Sequence, residues 1–207
     1  DDRAAQEQIK KRYVALQDWG ALEDFYRATD RWDELIRILE READKPEAEN
    51  ELRVNLLFRV ARIWTEEKEK LDRAARVYEK VLAIDATNLA AAEALTPIYE
   101  GASDAKNAKK LVGVYEVRLG HSDEDAVRLP LLRDLAKLYE SRLKQPEDAF
   151  GRALEAFKLD PLDPELASEA ERLAEAVQGY DRLVEVFQSV VDDVLDAERS
   201  AALRLQC

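Results

Sequence analysis

The sequence predicts an all-α chain, an α-solenoid of about six antiparallel helical hairpins and hence about twelve helices. Three observations predict it. Shifted by 75 positions, Leu57, Val60, Ala61, Ile63 and Trp64 return as Leu132, Leu135, Ala136, Leu138 and Tyr139. Further on, Ala74, Leu82, Ile84, Asp85 and Ala92 return as Ala149, Phe157, Leu159, Asp160 and Ala167. Apolar residues recur at spacings of three and four almost throughout, with little of the two-residue alternation of strands. The composition is dominated by Ala, Leu, Glu, Arg and Lys, all good helix formers. A fixed period means stacked units, each too small to cover its own apolar face, and such an array offers an extended surface rather than an enclosed pocket.

The helices follow in order. The first spans about 3–17; the second, 19–28, carries Trp19, Leu22, Phe25 and Tyr26; the third, 31–43, sets Trp32, Leu35, Ile36 and Leu39 on one face. A polar loop around Pro46 leads to a long helix at 49–68, then helices near 71–83, 88–100 and 105–119. The second copy gives 123–143, 146–158, 163–177 and 179–192, and a last helix starts near Asp196. Asp163 before Pro164 suits an N-cap followed by proline at the first helical position, and Pro146 plays the same part. Ser122 with Asp125 resembles a capping box. Gly101, Gly120 and Gly179 fall where helices should stop. Pro97 and Pro130 lie inside helices, where each should produce a kink or a late start. A looser third copy aligns Trp32-Asp33-Glu34-Leu35 with Tyr180-Asp181-Arg182-Leu183 and puts Arg53, Arg128 and Arg199 in one equivalent place.

Charge narrows the partners. The 32 basic and 45 acidic side chains leave a formal charge of −13, an average field that repels phosphate backbones and anionic lipid. No nucleic-acid partner is expected. No apolar run reaches the about 18 residues a membrane span needs, so no insertion is expected either. The chain opens Asp1-Asp2-Arg3, contains no Met, and reads as one repeat domain, 1–207, cut from a longer protein. One cysteine, Cys207, allows neither an internal disulfide nor a cysteine metal cluster, and the cytoplasm is slightly favoured.

These residues resemble the tetratricopeptide repeat superfamily. Trp19, Leu22 and Tyr26 keep its first-helix spacing; Ala74, Tyr78 and Asp85-Ala86-Thr87-Asn88, then Ala149, Ala153, Ala156 and Asp160-Pro161, are similar to its second helix and exit turn. The repeat here is longer than the usual 34 residues, and Ala153 replaces an aromatic. The resemblance implies a right-handed superhelix whose first helices line a concave groove for an extended or helical peptide.

Catalytic signals are poor. His121, the only histidine, sits in an acidic loop without partners for acid–base or metal chemistry and reads as a solvated residue. Asp123, Glu124 and Asp125 lack calcium-loop spacing, and Trp19, Trp32 and Trp64 occupy packing positions better suited to core than to a ligand cage. No enzyme, cofactor or metal is expected. Mapping the repeat onto 49–68 and 123–143 turns Leu57, Val60, Ala61 and Trp64 inward and leaves Asn55, Phe58 and Arg62, with Arg133 and Lys137, on the groove face. An exposed Phe58 beside three cations suits a protein or peptide partner of acidic character. The bland reading of those cations is pairing with neighbours, for example Arg62 with Glu66. The alternative to a binding scaffold is self-assembly through a sticky end at Ala201–Leu205.

Overall fold

The computed structural model describes residues 2–102 and 104–190, with side chains from Ala4 onward. Every regular element among them is helical: α1 (Asp2–Ala15), α2 (Trp19–Arg27), α3 (Trp32–Ala43), α4 (Asn50–Arg62), α5 (Leu71–Ile84), α6 (Leu89–Glu100), α7 (Ala105–Gly120), α8 (Asp125–Lys137), α9 (Pro146–Leu159), α10 (Pro164–Val177) and α11 (180–190). The expected helix from Asp196, Arg199 and the sticky end at Ala201–Leu205 lie outside the described residues. Helices α1 to α5 pack each on the next, as do α7 to α10, so that α4 lies between α3 and α5, and α9 between α8 and α10. The chain divides into two compact units, one ending at Ile98 and the other beginning at Tyr99.

The repeating stripe is the core. Leu57, Val60, Ala61 and Trp64 are buried, as are Leu132, Leu135 and Ala136, while Tyr139 is half-buried. Trp19 and Trp32 are core residues as well. Both copies extend their first helix by a wider turn, Ile63–Glu67 after α4 and Leu138–Leu143 after α8, held by bonds such as Lys68 N–H to Ile63 O at 3.1 Å. The sequence gives a cause. Trp64 and Ala74 are ten positions apart, as are Tyr139 and Ala149, whereas Tyr26 and Leu35 are nine apart. One extra residue must be absorbed while both ends keep facing the core, and a π turn does that. In each copy a hydroxyl donates to a carbonyl at the start of the widened stretch, Thr65 to Ala61 and Ser141 to Lys137.

The hairpin turns share one device. Gln17, Asp30, Glu69, Lys144 and Gln178 have φ between +50° and +58°, and each lies two residues before a helix start. The left-handed residue ends one helix and points the chain into the next. The glycines at helix ends therefore do not supply the reversal, since none of the described glycines has positive φ. Gly179 has another task. A Cβ there would stand 2.6 Å from Phe150 Cε1, and Phe150 is fully buried. Phe150 and Ala153 occupy the places of Ala75 and Tyr78 in the first copy, so the large and small residues have exchanged positions and the facing backbone has given way.

Arg53 and Arg128 do hold equivalent posts. Arg53 Nε donates to Ala43 O, at the end of α3, and Arg128 Nη1 to Leu119 O and Ser122 O, closing α7, each at 3.1 Å. They occupy carbonyls that the helix ends leave free. Asp163 caps α10 as expected, accepting from Glu165 N–H at 2.8 Å. Three local expectations are corrected. Ser122 accepts from Glu124 N–H in a short turn, so it forms no capping box with Asp125. Helices α6 and α8 run through Pro97 and Pro130, so neither starts late: each proline lies on the exposed side of a helix whose other face is buried, and that burial outweighs one lost hydrogen bond. Tyr180, aligned with buried Trp32, is half exposed.

Replacing Gly179 by Ala should cost about 1–3 kcal/mol, because a fully buried ring cannot swing aside. Denaturant unfolding of G179A against G179A/F150L checks this; the smaller residue at 150 should recover part of the loss.

Candidate functional site

The five residues picked from the sequence sit on first helices, three on α4 in one unit and two on α8 in the other. On α4 they join a network the sequence did not reveal. Its centre is Glu23 of α2, 5% exposed and at the heart of the stripe Trp19, Leu22, Glu23, Tyr26. Arg59 Nη1 and Arg62 Nη2 donate to its two carboxylate oxygens, each at 2.8 Å. Asn55 Oδ1 accepts from Arg59 Nε at 3.1 Å. Two guanidinium groups thus compensate one buried carboxylate. Arg62 is committed to Glu23 across the helices rather than to Glu66 along its own.

Phe58 is not the exposed anchor expected. It is half-buried, its ring 5.7 Å from that of Tyr78 in an edge arrangement, and it belongs to the rim of the core. The helical wheel put it off the main stripe, but the neighbouring α5 covers that flank too.

On α8, Arg133 is half-buried and reaches the start of α10, 3.0 Å from Glu165 Oε2 and 3.9 Å from Asp163 Oδ2. One π turn further on, Glu140 receives both terminal nitrogens of Arg172, at 2.6 and 2.9 Å. This pairing holds the Glu140 carboxyl below its usual range. Helices α8 and α10 are therefore bridged twice, as α2 and α4 are by Glu23.

Lys137 stays exposed, at the edge of a depression of ≈ 320 Å³ lined with Glu100, Tyr115, Asp134 and Arg142. Tyr115 donates to Glu100 at 2.6 Å, and desolvation with that carboxylate raises its phenol. Asp134 is also raised, by desolvation first, against the pull of Lys137 and with a push from Glu100. Arg142 is turned away to the carbonyls of Ala102 and Asp104. What this depression can do is accept and donate hydrogen bonds from fixed positions; it has no nucleophile–base pair.

His121 caps the end of α7 on the surface, and no group of three or more potential metal ligands is found among the described residues. No described helix is long and apolar enough to cross a membrane.

Residues 19–51 match the tetratricopeptide repeat family model, covering α2, α3 and the start of α4. The chain is a tetratricopeptide-like repeat protein. No curated protein matches it. Among solved structures it is similar to a crystal structure of MamA, with 14% identity over 85% of this chain and 96% of that one and a TM-score of 0.39. MamA from Desulfovibrio magneticus RS-1 shares 18% over 97% of both chains, with a TM-score of 0.35. BtubC from P. vanneervenii shares 15% over 95% of this chain and 86% of that one, at 0.38. Likenesses this distant carry no argument about shape or function.

The networks make two testable demands. Glu23→Ala should cost about 1–3 kcal/mol, since two part-exposed guanidinium groups lose their shared partner, and thermal unfolding measures it. Asp134 has a raised folded pKa, so its contribution is fully present below the unfolded carboxylate pKa and is lost as pH rises through the folded value. Asp134→Asn should therefore raise Tm by about 1–3 °C near pH 7 and leave it unchanged near pH 3.

Proposed function

We propose that the chain is a noncatalytic scaffold that holds a segment of a partner protein along the faces of its first helices. The observation that supports this is the bridging of successive first helices by ion pairs, Glu23 to Arg59 and Arg62 in one unit and Arg133 and Glu140 to α10 in the other. Each bridge fixes the spacing of the side chains beside it before any partner arrives, which lowers the ordering cost of binding. Asn55 and Lys137 are the exposed contacts; Arg62 and Arg133 offer the outer edges of paired guanidinium groups, and Phe58 shapes the surface without standing clear of it. The whole of 1–207 acting as one domain is part of this reading. On the second unit, carboxylates of a partner placed opposite Lys137 would be oriented by charge; on the first, polar groups opposite Asn55 would be held by hydrogen bonds.

The test compares wild type with K137E, at an exposed position outside the bridges, and N55A, which removes one bond to Arg59 and leaves both arginine pairs of Glu23 in place. Quantitative affinity capture should recover at least one protein whose yield falls tenfold or more with either variant. Identical recovered sets from all three baits would remove the first-helix faces from consideration.

A further inference from the structure

A larger opening lies elsewhere in the first unit. Between α1 and α3 is a cleft of ≈ 720 Å³ whose floor is formed by Phe25 and Tyr26 of α2. Its walls are one face of each helix. Glu7, Lys10, Lys11 and Val14 fall at i, i+3, i+4 and i+7 on α1, while Glu34, Ile38 and Arg41 fall at i, i+4 and i+7 on α3. Val14, Phe25 and Ile38 are only half-buried, so the cleft keeps apolar surface open to solvent. At 1.5 Å per residue the α3 wall is ~12 Å long, room for about two turns of a helix.

The electrostatics of this cleft oppose those of the chain. Five cations and three carboxylates line it, in a protein with 13 more acidic than basic side chains. The three carboxylates are already spoken for: Glu7 by Lys10 at 2.5 Å, Glu34 by Arg31 at 2.5 Å and Glu42 by Lys45 at 2.5 Å. Arg31 also donates to Gln6 across the cleft mouth at 3.2 Å, tying α1 to the start of α3. The pairing with Arg31 holds the Glu34 carboxyl below its usual range, so it stays ionised and paired. Lys11, Arg37 and Arg41 form no ion pair among the described residues, and all three are exposed. Arg37 and Arg41 stand one turn apart on the same wall, with Lys11 on the wall opposite.

We propose that this cleft is a second docking site, which binds an acidic segment of another protein through one or two apolar side chains on the floor and carboxylates on the walls. The apolar floor supplies affinity, and the three uncommitted cations select Asp and Glu over Lys and Arg. A strand of nucleic acid or an anionic membrane would also meet cations here. The Glu7, Glu34 and Glu42 carboxylates set among them, and an apolar floor recessed between two helices, favour a peptide that can place its charges individually. The site is separate from the faces of α4 and α8 named above, since no cleft residue belongs to either helix.

The experiment selects a displayed library of random 16-residue peptides against the intact chain, then measures the enriched peptides by fluorescence anisotropy. The expected result is a set rich in Asp and Glu with a recurring Leu, Phe or Trp, whose affinity falls tenfold or more for R37E/R41E and for K11E. K137E should leave that affinity unchanged, which separates this site from the first-helix reading. Failure to enrich any peptide, enrichment without acidic residues, or unchanged affinity in R37E/R41E would overturn the proposal. Binding of phosphatidylserine vesicles or single-stranded DNA that R37E/R41E abolishes, with no peptide enriched, would also overturn it. Circular dichroism of the variants confirms folding, which the exposure of all three cations makes safe.

Discussion

The hairpins among the described residues are incomplete by themselves. A first helix such as α4 buries Leu57, Val60 and Ala61 only because α3 lies on one side and α5 on the other, and α9 stands in the same relation to α8 and α10. Stability in such an array is a sum of local terms and contacts with nearest neighbours. The small residues decide how close those neighbours come: Ala61, Ala74, Ala136 and Ala149 are all essentially inaccessible, and each sits where a larger side chain would push two helices apart. Where a large residue does intrude, as Phe150 does, a glycine opposite it answers.

Polar bridges follow the same neighbour rule. Glu23 with Arg59 and Arg62, Glu40 with Lys80, Glu116 with Arg152, Glu140 with Arg172 and Glu147 with Arg182 all join residues 32 to 40 positions apart, one repeat in sequence. First helices are bridged to first helices and second to second. Most of these pairs are exposed, and each contributes no more than about 1 kcal/mol. Their larger effect is on register, since a hairpin shifted by one turn would break most of them. Glu23 is the exception in depth. It lies in the apolar stripe, where a lone carboxylate would be costly, and its two arginines make the arrangement of α2 and α4 specific.

What the sequence disclosed, and what it hid, divides along the same line. Periodicity marked all eleven described helices to within a few residues and identified the buried stripe, because burial by an adjacent hairpin leaves a repeating apolar record. The equivalence of Arg53 and Arg128 was visible, though not its meaning, since a guanidinium reaching a carbonyl nine or ten residues away has no spacing signature. Phe58 was misplaced because a helical wheel knows only one helix, while α5 closes the flank beside it. Arg62 and Arg133 read as free cations because their partners, Glu23 and Glu165, are a full repeat distant. The one available signal was Glu23 itself: an acidic residue between Leu22 and Tyr26 on a buried face demands a countercharge from elsewhere.

Charge pairing also separates the two surfaces. On the first-helix faces most charges have found each other within the chain, so a partner there meets a neutralised, prearranged lattice and must compete with bonds already made. In the cleft between α1 and α3 the carboxylates are paired, but Lys11, Arg37 and Arg41 form no ion pair among the described residues, and they stand beside apolar side chains that water still touches. Burying unpaired like charges against one another would cost energy, so the fold keeps them at an opening. An acidic segment laid there removes that repulsion and covers the apolar floor in the same step, whereas at Arg62 or Arg133 it would first have to displace Glu23 or Glu165. For an acidic partner, the physical chemistry favours the cleft.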